Sequence, residues 1–170
     1  MNKRRSFIVG IKTLKLSPKE KIFLKKYKPW GVILFDRNIK SIRQTLNLTN
    51  SIRKIFSDNR YPILIDQEGG RVNRLKNIIS FDNLTSEFFG KKFKKNYKKF
   101  SIYYRLFIDK TSYLLKLIGV NINTSPVLDL RVKGASSIIG NRSFSNSPKI
   151  VSKIGDYCID CFHKNGIGTV

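Results

Sequence analysis

The sequence is poor in the residues that build disulfide, metal and histidine-dependent sites. Its 170 residues include two cysteines, Cys158 and Cys161, and one histidine, His163. The Cys-x-x-Cys spacing suits a redox pair or half of a zinc site, but the chain has no second pair to complete one. Both cysteines follow the three-to-four spacing of neighbouring apolar residues, which places them on the apolar face of a predicted helix. We therefore interpret them as core residues and predict no metal site.

Long apolar runs are also missing. No segment approaches the length needed to span a membrane. The stretch 7–11 follows a basic start that resembles a secretory signal, but it is too short for the core of one and Lys12 ends it. These features predict a cytoplasmic protein without a membrane partner.

Acidic residues are scarce: 11 stand against 34 lysines and arginines, for a formal net charge of +23. Such a charge can indicate a nucleic-acid or anionic-membrane partner, or only a compositional bias. The lysines are spread along the chain, so we favour a compositional origin of the charge and expect only non-specific nucleic-acid binding.

The one concentrated basic stretch, 90–100, places Phe93, Tyr97 and Phe100 on one helix face. We favour packing of these aromatics over binding of nucleic acid or lipid.

Strand-like and helix-like segments alternate along the chain, which predicts an α/β fold with a parallel sheet. Hydrophobic residues make up 41% of the composition, enough for a globular core in one domain. Gly119 is expected to close the predicted helix 101–117. The predicted strands are 7–11, 31–35, 62–65, 120–123 and 167–170, and the predicted helices begin at Ser17-Pro18 and span 41–56, 101–117 and 147–164.

The most informative run is DQEGGRVNR, residues 66–74, which follows the apolar strand 62–65. A strand that ends in a carboxylate, two glycines and two arginines is suited to hold a polar ligand, and in α/β barrels ligands lie at such strand ends. Carboxylates accept hydrogen bonds from neighbouring sugar hydroxyls, and arginine donates hydrogen bonds through its planar guanidinium group. Asp66 and Arg74 are therefore candidate residues for binding a sugar. Glu68 and Arg71 are instead expected to pair and fix the loop. Arg142, on a later loop, is weak evidence taken alone.

Four segments taken together resemble the N-terminal catalytic barrel of family 3 glycoside hydrolases, above all the bacterial cytoplasmic β-N-acetylhexosaminidases that recycle cell-wall muropeptides. The resemblance implies about four and a half β/α units of a TIM (β/α)8 barrel, a ligand that contains N-acetylglucosamine, and no cofactor. It also implies that Asp66, Arg74 and Arg142 contact the terminal sugar. The four segments are GVILFDRN (31–38), DQEGGRVNRL (66–75), NTSPVLDL (123–130) and IGNRSFSNSP (139–148).

The chain departs from the family pattern at its end. In the family, strand five leads into a Lys-His pair, a loop with an Asp-His acid/base follows, and an aspartate nucleophile comes later. Residue 170 precedes all of these, and His163 lies before that strand. We therefore assign no catalytic residue, treat 1–170 as one partial barrel domain without a second domain, and expect the chain alone to be inactive. The alternatives are a non-catalytic remnant, a split-enzyme half completed by a second chain, or a polyanion-binding protein.

Overall fold

Five parallel strands form the sheet of the structure, a computed structural model that describes residues 4–132, 134 and 136–170. The strands lie side by side in chain order, so the third strand is central. Each neighbouring pair is parallel, as the alternation of segments predicts. The basic start that resembles a secretory signal lies partly outside the described residues. The strands are β1 Arg5–Gly10, β2 Pro29–Leu34, β3 Ile63–Ile65, β4 Ile122–Asn123 and β5 Gly168–Thr169.

Helices connect the strands, and their ends match the capping residues of the sequence. Ser17 forms a capping box with Glu20 at the start of α1, and Ser41 accepts a hydrogen bond from the backbone of the next helix. Ser147 precedes the last helix as predicted, but its hydroxyl forms no capping hydrogen bond in the described part of the chain. No described helix is long and apolar enough to cross a membrane. The helices are α1 Pro18–Tyr27, α2 Ile42–Phe56, α3 Ser86–Lys95, α4 Tyr97–Leu117 and α5 Pro148–Lys164, and short 3₁₀ turns span Asp36–Asn38 and Gly140–Arg142.

The basic stretch 90–100 is not one helix, which corrects the sequence prediction. Asn96 ends α3 in an extended conformation, and its side chain accepts a hydrogen bond of 2.9 Å from the Lys99 amide, capping α4. The aromatic residues still meet across this break, with the Phe93 ring centroid 5.1 Å from that of Phe100 and 5.6 Å from that of Tyr97. Phe100 is fully buried while Tyr97 is exposed, so packing explains only part of this aromatic group.

The core lies between the sheet and its helices, and the two cysteines belong to it. All three residues of β3 are buried, as are Cys158 and Cys161 on α5, which carry free thiols. Burial raises the pKa of the Cys158 thiol to about 12 and also raises the pKa of Cys161. The interpretation of the Cys-x-x-Cys pair as core residues is therefore confirmed.

Candidate functional site

The loop that follows the central strand carries the candidate site. Asp66 comes directly after β3, and the chain then folds back so that Gly69 and Val72 form an isolated antiparallel bridge. Gly69 has a φ of +88°, and a side chain there would place its Cβ 2.3 Å from the Leu84 carbonyl oxygen. Only glycine fits this position, because both the backbone conformation and the close approach exclude a Cβ. The first glycine of the DQEGGR run therefore has a direct structural cause.

Asp66 and Arg74 form a two-pronged ion pair at the mouth of this loop. Arg74 donates from Nε to Asp66 Oδ1 over 2.7 Å and from Nη2 to Oδ2 over 2.6 Å. These hydrogen bonds raise the pKa of the Arg74 guanidinium, which stays cationic. The two residues that the sequence selects as ligands are thus neighbours, and each holds the orientation of the other.

A second ion pair joins the DQEGGR loop to the loop of Arg142. Arg142 donates from Nε and Nη2 to the two oxygens of Glu68 over 2.9 and 2.8 Å. The prediction that Glu68 pairs with Arg71 is therefore wrong. Arg71 instead donates to the carbonyl oxygens of residues 137–139 and anchors the preceding part of the same loop. Sequence spacing could not find either contact, since the partners are more than 60 residues apart.

Exposure separates the roles of these four charged side chains. The side chains of Asp66, Arg74 and Arg142 keep 23%, 24% and 24% of their surface exposed, whereas Glu68 keeps 4%. A ligand can reach the first three, while Glu68 is covered by the arginine that it holds. The three accessible residues are the three sugar-contact positions that the family resemblance implies.

Two buried amides hold the DQEGGR loop against the neighbouring strand. The Asn123 side chain, at the end of β4, accepts from the Gln67 amide N–H over 2.9 Å and donates to the Gln67 carbonyl over 3.0 Å. The Gln67 side chain accepts in turn from the Leu75 amide over 3.1 Å, next to Arg74. We call this pair, Asn123 with Gln67, the amide clamp. Sequence analysis missed it, although an asparagine and a glutamine at adjacent strand ends are the signal that could have found it.

An aromatic ring supports the guanidinium side of the site. Phe35, directly after β2, lies below Arg74 with 5.5 Å between the guanidinium carbon and the ring centroid, and below Arg37 at 4.6 Å. Such contacts orient the guanidinium planes without using their hydrogen-bond donors. Asp36, the next residue, pairs with Lys76 over 2.6 Å, and this contact lowers the pKa of the Asp36 carboxyl. The carboxyl ends of β2, β3 and β4 thus all contribute to the same face.

The single histidine of the chain lies on α5 and not on the loops of the candidate site. In the described ranges of the chain, no cluster of histidine, cysteine or carboxylate side chains could hold a metal ion. His163 lies near the end of α5, with Nε2 3.0 Å from Thr169 Oγ1. Among the described residues, no side-chain hydrogen bond joins His163 to Asp66, Arg74 or Arg142. The arrangement can bind a polar, hydroxyl-rich ligand through carboxylate and guanidinium groups.

Parallel strands in chain order with connecting helices are the arrangement of a β/α barrel, a class of protein in which ligands lie at the carboxyl ends of the strands. Residues 7–170 match the family described as "Glycosyl hydrolase family 3 N terminal domain". The chain belongs to this family.

The relatives of the chain are bacterial hexosaminidases. The sequence is 34% identical to the beta-hexosaminidase of Hydrogenovibrio crunogenus over 96% of this chain and 45% of that protein, and 31% identical to beta-hexosaminidase A of Pseudoalteromonas piscicida over 89% and 26%. The structure is similar to NagZ from Neisseria gonorrhoeae, solved in complex with N-trifluoroacetyl-D-glucosamine, with a TM-score of 0.87 and 27% identity. That similarity covers 98% of this chain and 49% of NagZ. The chain thus spans about half the length, or less, of the relatives it matches, and its fold is the first part of their TIM-barrel domain.

Proposed function

We propose that this chain binds a terminal β-linked N-acetylglucosamine residue through Asp66, Arg74 and Arg142. The observation that carries the proposal is the accessible Asp66–Arg74 pair at the carboxyl end of the central strand. The family match and the NagZ structure bound to an N-acylated glucosamine support the same class of ligand. In the whole protein, this site would serve the retaining hydrolysis of cell-wall muropeptides by a β-N-acetylhexosaminidase.

The geometry gives each side chain a role in this binding. A carboxylate has about four lone-pair positions, of which Arg74 uses two on Asp66, so two remain for neighbouring sugar hydroxyls. The guanidinium groups of Arg74 and Arg142 keep N–H donors that can reach hydroxyl or acyl oxygens of the ligand. Since both arginines are already held by carboxylates, the sugar would meet an oriented site and little side-chain ordering would be needed.

We further propose that the 170-residue chain binds without hydrolysing. Retaining hydrolysis uses two carboxyl groups about 5–5.5 Å apart, one as nucleophile and one as acid/base. Asp66 and Glu68 are each engaged with both oxygens by an arginine. An anchored carboxylate whose charge is already neutralised is suited to orient a sugar, and it is a poor nucleophile.

Titration with methyl β-N-acetylglucosaminide, followed by ligand-observed NMR, tests the binding proposal. The Asp66→Ala variant should weaken binding at least about tenfold, because it removes charge-assisted hydrogen bonds. Asp156→Ala, an exposed carboxylate on α5, is the matched control and should bind as the unmodified chain does. The absence of saturable binding by a folded chain would refute the sugar site. Turnover of a chromogenic substrate that is lost in Asp66→Ala would refute only the claim of inactivity.

A second candidate concerns the edges of the sheet. In the described chain, β1 pairs only with β2 and β5 only with β4, so each outer strand presents one unpaired edge. Such edges pair readily with other strands. We propose that a second polypeptide can supply further strands, and that the chain alone is dimeric, aggregated or molten. A monodisperse monomer in light scattering, with a sharp thermal transition in near-UV circular dichroism, would contradict this.

We also propose that the protein is located in the cytoplasm. Cell fractionation with an antibody to the chain tests this location.

A further inference from the structure

Helix α4 carries apolar side chains on two opposite sides. Its inward side packs in the core and is explained by that packing. Its outward side exposes four large apolar residues, between 49% and 61% of whose surface is accessible. The inward residues are Phe100, Tyr104, Phe107, Ile108, Leu114 and Leu115, and the outward ones are Ile102, Tyr103, Leu106 and Tyr113.

The four outward residues lie along one side of α4, and we call them the stripe. At 3.6 residues per turn they fall within an arc of about 100°, and at 1.5 Å per residue the stripe from Ile102 to Tyr113 is about 16 Å long. Asp109 and Lys110 stand between Leu106 and Tyr113 along the helix. Tyr103 and Leu106 also border a groove of about 300 Å³ that Phe88 and Lys92 line from the side of α3. An exposed apolar residue is ordinary when single, but four on one side of a helix indicate an interaction surface.

Cations surround this stripe closely. The Lys92 ammonium lies 5.8 Å from the Tyr103 ring centroid, and the Lys110 ammonium lies 5.7 Å from that of Tyr113. Of the outward residues of α4, all of which the structure describes, only Asp109 is acidic, and it pairs with Arg105 over 3.6 Å. The remaining cations on this side of the helix are Lys98, Lys99 and Lys116.

We propose that this outward side of α4 binds the surface of a membrane that contains anionic lipid. An apolar stripe flanked by lysines on a helix that lies flat is the pattern of interfacial binding, where the apolar side enters the acyl boundary and the lysines meet lipid phosphates. The inference does not depend on the proposed sugar site. The sequence predicts no membrane partner because it has no spanning segment. Binding to a membrane surface needs no such segment, so the proposal departs from that prediction.

The aliphatic residues of the stripe favour lipid over nucleic acid. Two of its four residues, Ile102 and Leu106, cannot stack on bases or contact phosphates. A single-stranded nucleic acid would gain more from aromatic residues at these two positions, since base stacking supplies much of its binding energy. Acyl chains gain from aliphatic and aromatic side chains alike.

Vesicle flotation of the soluble chain tests the proposal, because bound protein rises with the lipid while aggregated protein sinks. The chain should float with vesicles of phosphatidylcholine mixed with phosphatidylglycerol, and much less with phosphatidylcholine alone or at high salt. Leu106→Asp should lower the fraction bound at equal lipid by about tenfold or more. Since Leu106 is 61% exposed, the change should leave the far-UV circular dichroism unaltered.

Ile22→Asp is the matched control, since Ile22 is 66% exposed on the lysine-rich α1, where Phe23, 41% exposed, is the one other exposed large apolar residue. This variant should float as the unmodified chain does. Three results would overturn the proposal: no flotation of the soluble chain, equal losses in Leu106→Asp and Ile22→Asp, or flotation that Leu106→Asp does not change. If Leu106→Asp instead abolished retention of single-stranded DNA on a filter while flotation persisted, the surface would be a nucleic-acid site.

Discussion

Replacing Asn123 by alanine should be among the most destabilising single changes in the chain. Its side chain is fully buried and supplies the hydrogen-bond partners found for the backbone N–H and carbonyl of Gln67. An unsatisfied buried polar group costs about 1–3 kcal/mol, so the two groups together cost about 2–6 kcal/mol. Such a loss is a large share of the roughly 5–15 kcal/mol that stabilises a typical domain.

Thermal unfolding of the folded, dimeric chain at equal protein concentrations, followed by circular dichroism, measures this loss. For chains of this size, 1 kcal/mol moves the melting temperature by about 2–4 °C, so Asn123→Ala should lower it by roughly 10 °C. Asn59→Ala, at an exposed position, is the control and should change stability by less than about 0.5 kcal/mol. Equal melting temperatures for the two variants would refute the role of the amide clamp.

An aspartate at the same position gives a sharper version of the test. A carboxylate at position 123 can still accept a hydrogen bond from the Gln67 N–H. Its second oxygen, however, would lie against the Gln67 carbonyl oxygen, and neither of these two oxygens can donate a hydrogen bond. The protonated acid can donate there, so folding raises the pKa of the new carboxyl group. Stability of Asn123→Asp should therefore be lowest at neutral pH and partly recover as the pH falls through that raised pKa. A variant whose stability relative to the unmodified chain is independent of pH would show that the carbonyl contact contributes nothing.

Three further predictions follow from packing, thiol burial and charge. Gly90→Ala on α3, a change that usually stabilises a helix, should destabilise this chain by about 2–4 kcal/mol, because the new Cβ would lie 1.8 Å from the Phe144 carbonyl oxygen; chemical denaturation measures it. Cys158 and Cys161 should react slowly with Ellman's reagent at pH 8, since buried thiols with raised pKa values stay protonated, and both should react at once in denaturant. Duplex DNA should bind only weakly, without sequence preference, and with a steep loss of affinity as salt increases.

Each of these predictions has its own contrary result. Gly155→Ala is the control for the helix substitution, because its Cβ would lie closest to the movable end of the Leu128 side chain, at 2.8 Å, and meets no described backbone atom outside its own helix within 4 Å. Equal stabilities of the two alanine variants would show that the Phe144 segment moves freely. Fast labelling of both thiols without denaturant would mean that α5 is not packed as described. Tight, sequence-selective DNA binding at physiological salt would contradict the compositional explanation of the charge.

The sequence predicts the parallel sheet well because apolar runs and capping residues are local signals. The β3 strand and the candidate site residues that follow it, Asp66 and Arg74, can be predicted because strand, turn and charges lie within about a dozen residues. The break at Asn96 is less readable, because asparagine tolerates a helix interior and a cap alike. The helical spacing of the flanking aromatics continues across it, which hides the change in direction.

Pairings between distant loops lie beyond what the sequence spacing can predict. Glu68 is three residues before Arg71, so a local pair is the simpler expectation, yet Glu68 contacts Arg142. The choice between the two arginines depends on how close the folded chain brings residues 137–142 to the central strand. The hydrogen bonds between Asn123 and Gln67 cannot be predicted from sequence spacing either, because the two residues become neighbours only after β3 and β4 have paired.

The double attachment of the Arg142 loop has a consequence for local motion. Glu68 holds the guanidinium of Arg142, and Arg71 holds the carbonyls just before it, so two points of one loop are tied to a single short turn after β3. Neither loop can swing out without releasing the other. We therefore expect the two loops to open as one cooperative unit, with backbone amides that exchange with solvent together although more than 60 residues separate them in the chain.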